Sequence, residues 1–216
     1  MRVTFTLILP PIALLLLNYG TVQCQIPSEW RQVIDKNNVQ VYLHECHQQN
    51  VRAFRAVTSI SLPIDSVEVL FDAVEEYPSW QQNVKEAKVV HRASDSRYHF
   101  YTRNHQGWPS KDRDLIWAVE KKWDSNTASL VYDQVCSTNT LPDKGNSGIA
   151  SQAFVTWRLQ PVSETETRIS YNFTIQQGGR IPNWLLSMLT ADEPYKTLSN
   201  LRDLEIKGDG NTASLD

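Results

Sequence analysis

The sequence predicts an α+β fold, a long antiparallel sheet followed by one long helix that the sheet must bury. Three observations lead there. Between Val39 and Ile175 the chain alternates short β-branched and aromatic runs with turn clusters, and the connections are short enough to demand antiparallel pairing. From Trp184 onward, Leu185, Met188, Leu189, Tyr195, Leu198, Leu201 and Leu204 recur at three- and four-residue steps. They make one apolar face and leave Asn183, Ser187, Lys196, Asn200 and Arg202 for water. Almost everything upstream reads as strand, so only a sheet can cover that face.

Taken in order, Ser28 can cap a short helix over Glu29–Ile34, with Trp30, Val33 and Ile34 on one side. Asn37-Asn38 is a turn, Val39–His44 a strand, His47–Asn50 a polar turn, and Arg52–Ile60 a second strand. Pro63 opens a helix that places Val67, Leu70 and Phe71 together and stops before Tyr77-Pro78, because a residue preceding proline is pushed from the helical region. Strands are then expected at Lys85–Arg92, Arg97–Asn104, Asp114–Lys122, Ser129–Val135, Ile149–Leu159 and Thr167–Ile175, about eight in all. Turn clusters separate them at Ser94-Asp95, Trp108-Pro109, Asp124–Asn126, Leu141–Gly145 and Val162–Glu164. Gly178-Gly179 ends the last strand and Pro182 suits a first helical position. Pro194 interrupts the long helix, so a kink or break is expected near Thr190–Asp192. From Gly208 to Asp216 the chain reads as a polar, flexible tail.

The N-terminus carries a single early charge, Arg2, ahead of the apolar run Val3–Leu17. That run is short for a membrane span and reads as a secretory signal peptide over residues 1–24, leaving Gln25 as the mature start. A lipid anchor at Cys24 is the alternative. Residues 25–207 suit one domain, working in the periplasm or outside the cell. The whole chain has 21 Lys and Arg against 24 Asp and Glu, and shows no basic patch, which argues against nucleic acid as a partner. Two cysteines remain after the leader. A disulfide between Cys46 and Cys136 and a pair of free buried thiols both stay open.

Sites of chemistry are sparse. In His44-Glu45-Cys46-His47, strand alternation places His44 and Cys46 on one face and Glu45 and His47 on the other, so the four do not converge on a metal; an exposed strand end is expected. His99 shares a face with Tyr101 and Arg103, and His105 follows at the strand exit, an arrangement that reads as half-solvated. Asp112-Arg113-Asp114 is read as structural, an arginine between two carboxylates locking the start of a strand. The sequence contains no Gly-x-Ser-x-Gly, phosphate loop or Cys-x-x-Cys, and Cys136 has no neighbouring cation in sequence. No catalytic residue, metal set or cofactor is assigned.

Three segments, in order, resemble the StAR-related lipid-transfer (START) domain family, and in particular bacterial secreted START-like proteins. They are Trp80 after Glu76-Tyr77-Pro78-Ser79 with the following Asn83–Val90, then Trp108-Pro109-Ser110-Lys111-Asp112-Arg113-Asp114, then Gly178–Trp184. The likeness covers about Trp30 to Leu204 and gives Trp80, Trp108, Arg113, Asp114, Gly178, Gly179 and Pro182 structural roles. It implies a helix-grip fold, the curved antiparallel sheet wrapped around the C-terminal helix with one hydrophobic cavity between them. Where sterol-binding members carry a cavity arginine this chain has Val119, and the acid that partners it has no clear equivalent on Arg97–Asn104, so a more apolar cavity is expected.

Periodicity alone leaves open which alternate set of each strand faces inward. The set taken as cavity-lining is Phe100 and Thr102, then Leu115, Trp117 and Val119, then Tyr132, Phe154 with Thr156, and Tyr171 with Phe173, joined by Trp184 and Met188 of the helix. The function expected is binding, and possible transport, of a hydrophobic small molecule or lipid by a monomer in transient contact with membranes, without a cofactor. The rival is a cyclase- or hydrolase-like enzyme, with His99 or Tyr101 as acid–base candidates; a third reading is an interaction module whose cavity is filled by side chains. Gly178-Gly179 and Pro194 also suggest that Ile181–Leu189 moves as a lid.

Overall fold

The structure is a computed structural model that describes residues 30–46, 51–105, 112–137, 152–176 and 190–212. Among these residues nine strands run in order: β1 (Arg31–Lys36), β2 (Val39–Cys46), β3 (Val51–Ile60), β4 (Val84–Ser94), β5 (Arg97–Asn104), β6 (Arg113–Asp124), β7 (Ser129–Ser137), β8 (Gln152–Pro161) and β9 (Thr167–Gln176). Between β3 and β4 lie α1 (Ile64–Asp72), a 3₁₀ turn (Val74–Glu76) and α2 (Tyr77–Trp80); α3 (Asp192–Thr212) closes the described chain. All nine strands form one antiparallel sheet in the order β1-β2-β3-β9-β8-β7-β6-β5-β4. The α1–α2 segment therefore carries the chain from β3 to the far edge, and the meander β4 to β9 returns until β9 pairs with β3, Phe54 opposite Phe173.

Two local expectations are corrected. The stretch Glu29–Ile34 is not a helix: its described part begins β1, which pairs with β2. The reason is the turn that follows. Asn37 and Asn38 sit at φ of 52° and 59°, the left-handed pair a two-residue hairpin needs and asparagine tolerates. Pairing to β2 then outweighs the capping signal of Ser28. The strand takes its periodicity break as a bulge between Gln32 and Ile34, which lets adjacent Val33 and Ile34 both be half-buried. The second correction is Tyr77, which is helical at φ −54° and ψ −36° despite the proline after it. Pro78 lies in the first turn of α2, where no N–H is required, and the buried Tyr77 hydroxyl donates to Phe71 O at 2.7 Å, anchoring the turn.

The concave face of the sheet is covered in two places. Phe71 of α1 packs on Trp157 at 5.1 Å and Tyr132 at 5.6 Å, and Trp80 of α2 packs on Trp157 at 5.8 Å. Tyr77 meets Phe100 edge-on at 5.5 Å. Lys121, its side chain only 12% exposed, clamps α1 to the sheet through Glu68 at 2.9 Å and Asp72 at 2.7 Å. On the other side α3 lies over β2 and β3 and touches α2. Leu198 and Leu201 are fully buried there, Arg202 reaches Ser59 O at 3.0 Å, and Asn200 donates to Trp80 O at 3.2 Å. A bend and turn at Thr190 and Ala191 precede α3, and Pro194 falls in its first turn; the helical stretch expected before them lies outside the described residues. The helix continues past Gly208 to Thr212.

The convex face is a polar ladder of cross-strand pairs: Thr156 with Asp133 at 2.8 Å, Lys122 with Asp133 at 2.6 Å, Arg158 with Asp124 at 2.8 Å, and Arg55 with Asn172 at 2.9 Å. Cys136 is buried and unbonded. Three strands separate β7, which carries it, from β2, which ends at Cys46, so the Cys46–Cys136 disulfide is not formed. Burial pushes the Cys136 thiol up to about 12. His44 is buried at 4% exposure and lies against Trp30 at 5.5 Å, not at an exposed strand end; the side chains of Glu45, Cys46 and His47 lie outside the described residues.

Candidate functional site

Covering the concave face from two sides leaves a gap between the covers. It is a hollow of about 230 Å³, bounded by β5 to β9, by the link Gln81–Val84 between α2 and β4, and by the first turn of α3. Its apolar walls are Phe100, Trp117, Val155, Trp157, Tyr171 and Phe173. Trp157 stacks on Tyr171 at 3.9 Å and so divides the hollow from the α1 core behind it. Phe100 and Trp117 lie nearly parallel at 6.3 Å on neighbouring strands.

The polar lining is richer than expected. On β5, Asn104 donates to Thr102 Oγ1 at 2.8 Å, and Trp117 Nε1 donates to the same oxygen at 3.1 Å. Gln134 of β7 is 5% exposed and its Nε2 has no hydrogen-bond partner. Glu193, in the first turn of α3, is 9% exposed. Its Oε1 accepts from Thr197 Oγ1 at 3.3 Å, which in turn accepts from the Gln82 backbone N–H at 3.0 Å. Its Oε2 has no hydrogen-bond partner in the protein, although the Tyr171 hydroxyl also acts on the carboxyl. Burial pushes the Glu193 carboxyl up to about 8, against the smaller opposing pull of the Thr197 and Tyr171 hydroxyls. An acid does enter the hollow, but from the helix and not from a strand.

Of the residues expected inside, Phe100, Thr102, Trp117, Tyr171 and Phe173 line the hollow. Leu115, Val119 and Tyr132 are buried on the same concave side but belong to the packed core; Tyr132 donates to Asp72 under α1 at 3.0 Å. Phe154 and Thr156 are on the wrong face. Along β8 the buried residues are Ala153, Val155, Trp157 and Leu159, so the opposite alternate set points inward and Thr156 is tied into the convex ladder. Trp184, Met188, Trp108, Gly178, Gly179, Pro182 and the expected lid Ile181–Leu189 lie outside the described residues.

Trp80 is core, at 1% exposure. The side chain of Arg113 also lies outside the described residues, and neighbouring strands supply partners to the carboxylates around it. Asp112 takes Lys85 at 2.9 Å and His105 at 3.0 Å; Asp114 accepts from Tyr101 at 2.6 Å and Arg103 at 3.1 Å. These contacts hold both carboxyls below their usual range, the Lys85 bond leading for Asp112 and the Tyr101 bond for Asp114. Tyr101 and His99 thereby stand on the outer face, so neither reaches the hollow, and the acid–base candidates drawn from them are withdrawn. His105 touches its rim.

Sequence reasoning missed Glu193, Gln134, Asn104, Val155 and Trp157. One signal was present for the first: Glu193, Thr197 and Leu201 follow at four-residue steps, which places the acid on the buried stripe of the helix.

A curved antiparallel sheet that closes over a C-terminal helix and leaves a walled hollow between them defines a small-ligand container of the helix-grip class. Residues 60–202 match the family described as polyketide cyclase/dehydrase and lipid transport, and the chain belongs to that family. It is similar to an uncharacterized protein of Pseudomonas aeruginosa, 25% identical over 184 residues that make up 85% of this chain and 90% of the relative. Among solved structures, it resembles a STAR-related lipid transfer protein fragment from Xanthomonas axonopodis, with a TM-score of 0.68 at 22% identity over 82% of this chain and 98% of that one. Human STARD10 superposes with a TM-score of 0.66 at 16% identity, covering 88% of this chain and 79% of its own. Human StAR-related lipid transfer protein 5 gives 0.65 at 14%, covering 86% and 90%. At these identities the likeness is one of fold, the START helix-grip.

Proposed function

We propose that the protein is a non-enzymatic carrier or sensor of a hydrophobic small molecule, a lipid by class, held in the hollow. The observation that carries this is the hollow itself. Aromatic walls desolvate an apolar body, and a few buried polar groups in the lining fix its orientation. Membership of a family described in part by lipid transport supports the reading. In this reading the chain acts as a monomer, exported after loss of residues 1–24, and meets membranes transiently to load or release its cargo. No helix among the described residues is long and apolar enough to cross a membrane.

The test uses N-phenyl-1-naphthylamine, an uncharged dye that brightens in apolar surroundings. The wild-type protein is expected to take it up saturably. Val155→Phe, which adds a ring at a lining position only 4% exposed, is expected to weaken uptake about tenfold while the melting temperature holds or rises. Undiminished uptake by the folded variant would place dye binding elsewhere and remove the support.

A second reading, an enzyme of the same family acting on a hydrophobic substrate, draws on one observation: a buried carboxyl, Glu193, lines the hollow, and burial pushes it up toward the range a general acid or base uses. Recovery of a bound molecule chemically unchanged after prolonged incubation favours the carrier; conversion favours the enzyme.

A further inference from the structure

Two polar groups without a protein partner line the hollow from different elements, Glu193 from α3 and Gln134 from β7. Glu193 Oε2 and Gln134 Nε2 have no hydrogen-bond partner in the protein, although both side chains line the same space and are 9% and 5% exposed. Buried polar atoms are nearly always paired, and an unpaired one is a standing cost to the fold that calls for a partner. The rest of the carboxyl is fixed in place, with Oε1 held by Thr197 and Thr197 held by the Gln82 N–H. Glu193 is therefore positioned before any ligand arrives, with its free oxygen available.

The chemistry of the partner follows from what surrounds it. No lysine or arginine stands among the described lining residues, and the histidine there, His105, faces Asp112 at 3.0 Å. A buried carboxylate without a cation is strongly disfavoured, so Glu193 holds its proton at neutral pH and offers both an O–H donor and an acceptor. Gln134 adds an amide N–H, and the Tyr171 hydroxyl, which also acts on this carboxyl, stands on the same wall. The complement is an uncharged group that can donate and accept at once. A ligand carboxylate would be stripped of water with no lysine or arginine among the described lining residues to meet it. A ligand ammonium would require Glu193 to ionise in the same buried position.

We propose that Glu193 and Gln134 form the head-group subsite of the hollow, taking the hydroxyl of an uncharged amphipathic ligand whose hydrocarbon lies against Phe100, Trp117 and Trp157. This deepens the carrier reading and rests on it.

The test compares three probes that share one chain and differ only in the head: decanol, decanoate and decylamine, titrated calorimetrically at neutral pH. Decanol is expected to bind about tenfold tighter than either charged probe, the worth of one or two well-made hydrogen bonds. Glu193→Leu and Gln134→Leu are each expected to lose most of that preference while keeping the circular dichroism of the parent. Equal or tighter binding of decanoate or decylamine by the wild-type protein would overturn the subsite while leaving the carrier reading standing. Full decanol preference in the folded variants would do the same. Failure of all three probes to bind would sink the carrier reading and this subsite with it. The wild-type comparison decides the matter even if a variant fails to fold.

Discussion

Raising the pH from about 5 to about 8.5 is expected to cost the protein about 4 kcal/mol of stability, and Glu193→Gln to remove most of that loss. The sign follows from where the proton goes. In the unfolded chain the Glu193 carboxyl titrates at its ordinary 4.5; in the fold, burial moves it to about 8. Between those values the folded state holds a proton the unfolded state has released, so each rise in pH favours unfolding. The contribution is complete below the unfolded value and is lost as pH climbs through the folded one. Other shifted groups leave this window clear. Asp124, held at about 2 chiefly by Arg158, has finished titrating in both states well below it. The Cys136 thiol, raised to about 12 by burial, acts in the same direction but begins only near 9. Urea unfolding of both proteins at the two pH values measures the effect. The same pH slope in wild type and variant would show that Glu193 is not the buried acid described.

Trp157→Ala is expected to destabilise the fold by about 4 kcal/mol, within the range for deleting a buried aromatic. Trp157 is 2% exposed and joins the hollow to the core, with Tyr171 stacked on it and Phe71 and Trp80 against it edge-on. Three aromatic neighbours lose their partner at once, and the space left adjoins the hollow already present, so little collapse can refill it. A midpoint shift in urea equivalent to less than about 1 kcal/mol would contradict this packing role.

Much of this wall could be named from the sequence because strand alternation offers only two sets per strand, although periodicity alone does not choose between them. Along β5 and β6 the apolar members Phe100, Leu115 and Trp117 fall on one set, and Tyr171 with Phe173 do so along β9. β8 defeated the rule because both of its sets carry an aromatic residue. Phe154 competes with Trp157, and only the cross-strand register, Trp157 opposite both Tyr132 and Tyr171, decides between them. β1 was misread because its capping signal is local while its pairing partner is supplied by the Asn37-Asn38 turn. The polar lining of the hollow was the least legible part. A buried carboxyl cannot be told from a solvated one until the turn of α3 that bears it is known to face inward, and the spacing of Glu193, Thr197 and Leu201 becomes informative only then.

Whether the hollow carries a molecule is tested most directly by native mass spectrometry of the exported protein, purified from its own host without detergent. The expected spectrum shows the chain beginning at Gln25 together with a noncovalent adduct of defined mass. On gentle activation that adduct should leave as an uncharged, hydrophobic compound bearing a hydroxyl. A spectrum containing only the bare chain, from a preparation that also fails to take up decanol, would contradict the carrier reading.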